Sequence, residues 1–199
     1  MRDIAQIRDV FSRYGDLMKT SELFNERLYY QNLQRLEEDG YIEKVRYGYY
    51  RWAQDEEPNE ADIVSRLFPD GILCMETAMS YYGYTDALPE RWHIAVSKDS
   101  TKSRFNIDYP FVKPYYVEQE LLTLGECEGE IDGARVRLYD RERLLCDCLR
   151  YRNRIDKDLF NSVVRAFIDD PMRNISHLNE YAATLRVSQK ARDLLAIWL

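Results

Sequence analysis

The stretch Leu36-Glu-Glu-Asp-Gly-Tyr-Ile-Glu-Lys-Val-Arg-Tyr-Gly-Tyr-Tyr-Arg-Trp52 constrains the fold more than any other part of the chain. Gly40 follows an apolar helical stripe and reads as a helix stop, because glycine takes the left-handed backbone conformation that ends helices without a steric penalty. Beyond it, two short runs with alternating apolar residues flank Gly48, which permits a tight turn. A two-stranded hairpin is at best marginally stable alone. This one must therefore be an appendage of the residues before it.

Those residues read as three short helices. Ile4, Ile7, Val10, Phe11 and Tyr14 recur at helical spacing, and Gly15 closes the first helix. A second helix follows Thr20 as N-cap, with Glu22 in its first turn and Leu23 and Phe24 facing a core. Residues 28–39 form a third, whose apolar stripe is Tyr29, Leu33 and Leu36. Three helices and a hairpin predict a winged helix-turn-helix over residues 1–53. On a helical wheel Arg27, Gln31, Gln34 and Arg35 fall opposite the stripe, and arginine and glutamine are the side chains that bond bidentately to guanine and adenine in the major groove. Thr20, Ser21 and Tyr30 complete the expected DNA-facing set on the helices. Glu38 shares the outward face and opposes the reading. Lys44, Arg46, Tyr47 and Arg51 lie on the hairpin, where a glycine turn brings cations to a phosphate backbone or minor groove.

The chain of 199 residues has a net charge of -7. Residues 1–53 carry nine basic and nine acidic side chains, so the whole acidic excess lies further on. Bulk charge therefore argues against a protein that coats nucleic acid. The segment 53–60 is polar, acidic and contains a proline, which places the domain boundary there. The remainder, 60–199, reads as an α+β domain: helices at about 61–68 and 75–82, strands at 93–97, 111–117 and 134–139 with Gly125, Gly129 and Gly133 as turns, then helices to the end. Four cysteines with no C-x-x-C pair and two histidines give no metal-ligand spacing, so no metal and no cofactor is expected. No apolar run reaches the length of a membrane span, and the start of the chain is charged, so a cytoplasmic protein is expected.

The residues resemble a known family. Gly15, Thr20-Ser-Glu-Leu23 and Leu33-Gln-Arg-Leu-Glu-Glu-Asp-Gly-Tyr-Ile-Glu-Lys-Val-Arg-Tyr-Gly-Tyr-Tyr50 resemble the winged-helix domain of the AbiEi antitoxins of type IV toxin-antitoxin and abortive phage infection systems. Ile72-Leu-Cys-Met-Glu-Thr-Ala-Met-Ser-Tyr-Tyr-Gly-Tyr-Thr-Asp-Ala-Leu-Pro89, His93-Ile-Ala-Val-Ser97 and Tyr139-Asp-Arg-Glu-Arg-Leu-Leu-Cys-Asp-Cys-Leu-Arg-Tyr-Arg-Asn153 are similar, in order, to that family's C-terminal region. The resemblance implies an antitoxin and autorepressor of its own operon. Its partners would be operator DNA, as an inverted repeat on which two copies associate, and a nucleotidyltransferase-like toxin opposed without a stable complex. The acidic second domain departs from the family's more basic members.

Arg143, Asp147, Arg150 and Arg154 recur at intervals of four, three and four. They predict an exposed helix face laced with ion pairs, and Arg143, Arg150 and Arg154 mark the best surface in the second domain for an anionic partner. Enzymatic chemistry is not expected. None of the seven lysines has an acidic residue two positions before it, as a restriction-type nuclease needs, and phosphate-binding and G-x-S-x-G motifs are absent. His93 lies in an apolar strand and reads as a core histidine. The rival to DNA binding is a winged helix that docks a protein.

Overall fold

The computed structural model describes residues 3–53 and 59–198. The chain is α+β, and its described residues form two sheets.

In the N-terminal part, α1 (Ile4–Arg13) leads through β1 (Leu17–Lys19) to α2 (Thr20–Asn25) and α3 (Tyr30–Glu38), and the hairpin β2 (Ile42–Arg46) and β3 (Tyr49–Trp52) follows. β3 is central and antiparallel to both neighbours. The hairpin thus gains a third strand, three residues long and too short to show alternation. Ile7, Val10, Phe11, Leu23, Leu33 and Leu36 close over Ile42, Tyr50 and Trp52. Two expectations are corrected. Lys19 rather than Thr20 precedes α2: its N–H donates to the Glu22 carboxylate at 2.7 Å, while the Thr20 N–H donates to the Gly48 carbonyl at 2.9 Å and ties the helix to the hairpin turn. Tyr29 is 55% exposed, because α3 begins one residue after it and Leu28 takes the inward place.

In the second part, α4 (Glu60–Leu67), β4 (Ile72–Leu73), α5 (Met75–Tyr81), β5 (Trp92–Ser97), β6 (Val112–Val117), α6 (Gln119–Leu122), β7 (Glu126–Ile131) and β8 (Ala134–Tyr139) precede the helical end. That end comprises α7 (Arg141–Arg150), α8 (Lys157–Asp169), α9 (Ile175–Thr184) and α10 (Ser188–Trp198). The sheet order is β6-β5-β4-β8-β7, with β5–β6 and β4–β8 parallel and the other pairs antiparallel. Successive strand residues face opposite sides. Ile72, Ala95 and Tyr139 accordingly meet α5 and α7, while Leu73, Ile94, Val96 and Leu138 meet α4. Gly129 is not the turn expected of it but a residue inside β7. A Cβ there would stand 2.6 Å from the Tyr81 hydroxyl and 2.8 Å from Leu138 Cδ2, so the strand needs glycine to let the Tyr81 ring lie on it.

The expected linker core, 54–58, lies outside the described residues, but the residues around it are packed together. Leu17 and Val45 belong to the same apolar cluster as Ala61, Val64, Leu67 and Phe68 of the second part. The Arg66 guanidinium, on α4, donates to the carbonyls of Tyr14, Gly15 and Leu17. Gly15, at φ +64°, leaves room for it: a Cβ would meet Arg66 Nη1 at 2.8 Å. One apolar cluster spans both parts, beside the separate cluster of the N-terminal part.

Candidate nucleic-acid interface

The N-terminal part presents an exposed surface made by the start of α3 and the β2–β3 turn. Tyr30, the first residue of α3, is 64% exposed and stands edge-on to Phe24 with ring centroids 4.9 Å apart. Gln31 is exposed beside it on the first helical turn. Tyr47, at the hairpin tip, is 90% exposed, and the Lys44 ammonium lies 5.6 Å from its ring centroid. Burial raises the pKa of the Tyr50 phenol, and the negative charge of Glu37 and the phenols of Tyr30 and Tyr47 add to that shift. Tyr50 lies in the apolar cluster that also holds Leu33 and Leu36 of α3, so the hairpin packs on that helix.

The remaining expected contacts divide. Ser21 is exposed. Thr20 is half-buried against the turn. Arg27 is exposed but lies before α3, in the α2–α3 connection at φ 61°, and so is not on the outward helix face predicted for it. Gln34 donates to Glu38 Oε1 at 2.9 Å, and Arg35 pairs with Asp39 at 3.7 Å. Both side chains expected to read bases thus meet an acid one turn along.

Two hairpin arginines are corrected. Arg46 does not project toward solvent as a phosphate ligand. Its guanidinium lies 4.3 Å from the Tyr49 ring centroid and 5.4 Å from that of Phe68, and it donates to the carbonyl of Leu67 at 2.9 Å and of Arg104 at 3.4 Å. Leu67 ends α4, where carbonyls lack intrahelical donors and the helix dipole favours a cation. Arg51 is paired with Glu43 and lies over the Tyr109 ring at 5.5 Å. Lys19, which sequence reasoning missed, is exposed on β1 opposite Tyr49 and 5.9 Å from its ring centroid. The signal for it was weak, since β1 is itself so short. Lys19, Arg27, Arg35 and Lys44 are exposed here, whereas Arg46 and Arg51 are half-buried.

The arginine face of the second domain is also corrected. Arg143 is 0% exposed. Its guanidinium pairs with Asp147 at 3.0 Å, donates to the carbonyls of Leu121 and Leu124 at 2.8 and 2.7 Å, and lies 4.1 Å from the Tyr139 ring centroid. It ties α7 to the α6–β7 connection and is unavailable to a partner. Arg150, at the end of α7, reaches Asp147 at 3.5 Å, and Arg154 lies in a separate turn with its guanidinium 5.8 Å from the Tyr151 ring centroid; both are exposed.

Far from this surface in sequence, Asp140, Glu142 and His177 come together, with one ligand-capable atom from each lying within 4.8 Å of the others. The expectation of no metal-ligand spacing considered cysteine and histidine alone and missed a mixed carboxylate–imidazole group joined by the fold. Burial raises the pKa of both carboxylates. His93 is buried in β5 as expected, accepting from the Glu76 N–H at 3.3 Å through Nδ1; burial lowers its pKa to about 4.

No family model matches this chain, and no curated protein matches it. In fold it is similar to the crystal structure of the RV2827C protein from Mycobacterium tuberculosis, with a TM-score of 0.57 at 13% identity, over 94% of this chain and 81% of that chain. At that identity the likeness shows shared architecture alone.

Proposed function

We propose that residues 1–53 are a winged helix-turn-helix that binds operator DNA, in a protein that acts as antitoxin and autorepressor. One observation supports the DNA reading most: the exposed start of α3, with Tyr30 and Gln31, belongs to a helix packed on the hairpin that carries the exposed Lys44 and Tyr47. A helix N-terminus in the major groove and a basic, aromatic turn at the adjacent backbone fit that pairing. Few cations face solvent, so non-specific attraction is weak and two copies on an inverted repeat are required for tight binding. The antitoxin half of the reading rests on the resemblance of 72–89, 93–97 and 139–153 to the AbiEi family. Its counterpart is a nucleotidyltransferase-like toxin opposed without a stable complex.

Gel-shift titration with DNA from the chain's own upstream region tests the first half. A specific shift is expected, and Gln31→Ala should lose operator preference by about 1–3 kcal/mol. Co-expression with the neighbouring toxin tests the second half, where survival is expected. The second reading, a protein-docking winged helix, is favoured by the exposed Tyr29, Tyr30 and Tyr47 and by the acids that hold Gln34 and Arg35. Failure to shift any upstream fragment decides for it.

A further inference from the structure

We infer that Asp140, Glu142 and His177 bind a divalent first-row transition-metal ion that fastens α7 to α9. The three residues sit where the starts of these two helices meet. Asp140 caps α7, Oδ1 accepting from the Arg143 N–H at 2.8 Å, and Oδ2 accepts from the Tyr181 hydroxyl at 3.1 Å. Glu142 Oε1 accepts from the Asn174 N–H at 2.5 Å, just before α9. The His177 ring stacks on Tyr181 with centroids 5.8 Å apart, which holds it at the cluster.

Glu142 is 4% exposed, and among the described residues neither it nor Asp140 has an arginine or lysine ion-pair partner; the nearby Arg143 is committed to Asp147. A buried carboxylate beside a half-buried one is stabilised by a cation or a proton. Each carboxylate oxygen has more lone pairs than these bonds consume. The third group selects the cation: an imidazole nitrogen beside two carboxylates suits zinc, manganese or iron better than magnesium or calcium, which favour oxygen alone. Bonds of about 2.1 Å place ligand atoms within about 4.2 Å of one another, so a small turn of the exposed His177 closes the group. Water completes the shell.

The test uses the full-length chain, stripped with a chelator and titrated calorimetrically with Zn2+ and, separately, Mg2+. One Zn2+ per chain is expected, with a raised melting temperature, and at least tenfold weaker Mg2+ binding. Glu142→Gln keeps an acceptor for the Asn174 N–H, and His177→Ala changes an exposed side chain, so both variants should fold. Each should weaken Zn2+ at least tenfold, and His177→Ala should also alter the visible absorption of the Co2+-loaded protein. Absence of stoichiometric Zn2+ binding overturns the inference. So does Zn2+ binding that both variants retain unchanged, which would mean an ion elsewhere on the surface.

Discussion

Replacing Arg46 by alanine separates two roles for the hairpin's central cation. As a phosphate ligand, Arg46 would contribute to DNA affinity and nothing to stability. In the structure it is a strut between the hairpin and the end of α4, held by the Leu67 carbonyl at 2.9 Å and sandwiched with the rings of Tyr49 and Phe68. A hydrogen bond from a charged donor is worth about 1.5–3 kcal/mol. Stacking on an aromatic ring adds about 0.5–1 kcal/mol at partly exposed sites. Arg46 keeps some solvent contact, so the lower ends apply, and Arg46→Ala should cost about 2–3 kcal/mol. For a chain of this size that lowers the melting temperature by about 4–12 °C. Thermal and urea unfolding read this directly. Gel shifts at several salt concentrations read the other role, because a lost phosphate contact lowers the slope of log affinity against log salt by about 0.9. The expected result is a clear loss of stability with the slope unchanged, whereas Lys44→Ala should do the reverse. A melting temperature within about 1 °C of wild type, or a reduced slope for Arg46→Ala, refutes the assignment of Arg46 to the core junction.

Arg143→Ala should cost about 3–5 kcal/mol in urea unfolding, because it leaves the buried Asp147 carboxylate with only the exposed Arg150, 3.5 Å away. Arg143→Met with Asp147→Leu should recover most of that loss, and no recovery would mean that the carbonyl bonds to Leu121 and Leu124 dominate. His93 has a folded pKa of about 4 against 6.5 when unfolded. The unfolded chain thus takes up the proton first, so the stability associated with the neutral imidazole is intact above pH 6.5 and is lost as pH falls toward 4, by about 3 kcal/mol in all. Comparing His93→Gln with wild type across this range isolates the term from the carboxylates, and parallel curves would contradict it. A protease site placed in 54–58 should yield fragments that co-elute after cleavage, because Leu17 and Val45 remain packed on α4; fragments that separate on size exclusion would show independent domains.

Much of the fold was legible in the sequence because period and punctuation carried it. Leu33, Leu36 and Gly40 marked α3 and its end, strand β8 was bounded as it stands, and the four terminal helices followed from their apolar spacing. Elements whose residues do not alternate went unseen: β1 and β4 are too short, and β7, Glu126-Cys-Glu-Gly-Glu-Ile131, reads as a polar loop until its pairing with β8 is known. α7 illustrates a different limit. Its arginines and aspartate sit at exposed-face spacing, yet residues 142–149 are all buried, because α5, α8 and α9 surround the helix and Arg143 pairs with Asp147 inside. Periodicity reports one apolar face. It does not show how many neighbours a helix will acquire.

The misread hairpin arginine has a more specific cause. Strict alternation would place Ile42, Lys44 and Arg46 on one face of β2. The strand is irregular where it matters: its pairing with β3 shifts between Lys44 and Arg46, and the inward residues are Ile42 and Val45, three apart rather than two. A bulge of this kind re-aims the side chains beyond it. Ile42 faces the helices of the N-terminal part, whereas Val45 joins the α4 cluster, and Arg46 follows it to the end of α4. The same irregularity therefore couples the candidate interface to the second part of the chain and withdraws one of its cations. It leaves Lys44 and Tyr47 as the hairpin's outward groups. A surface so sparing in positive charge has to select its partner by shape and by the few exposed side chains it retains, and such a surface gains most from a rigid connection to the rest of the molecule.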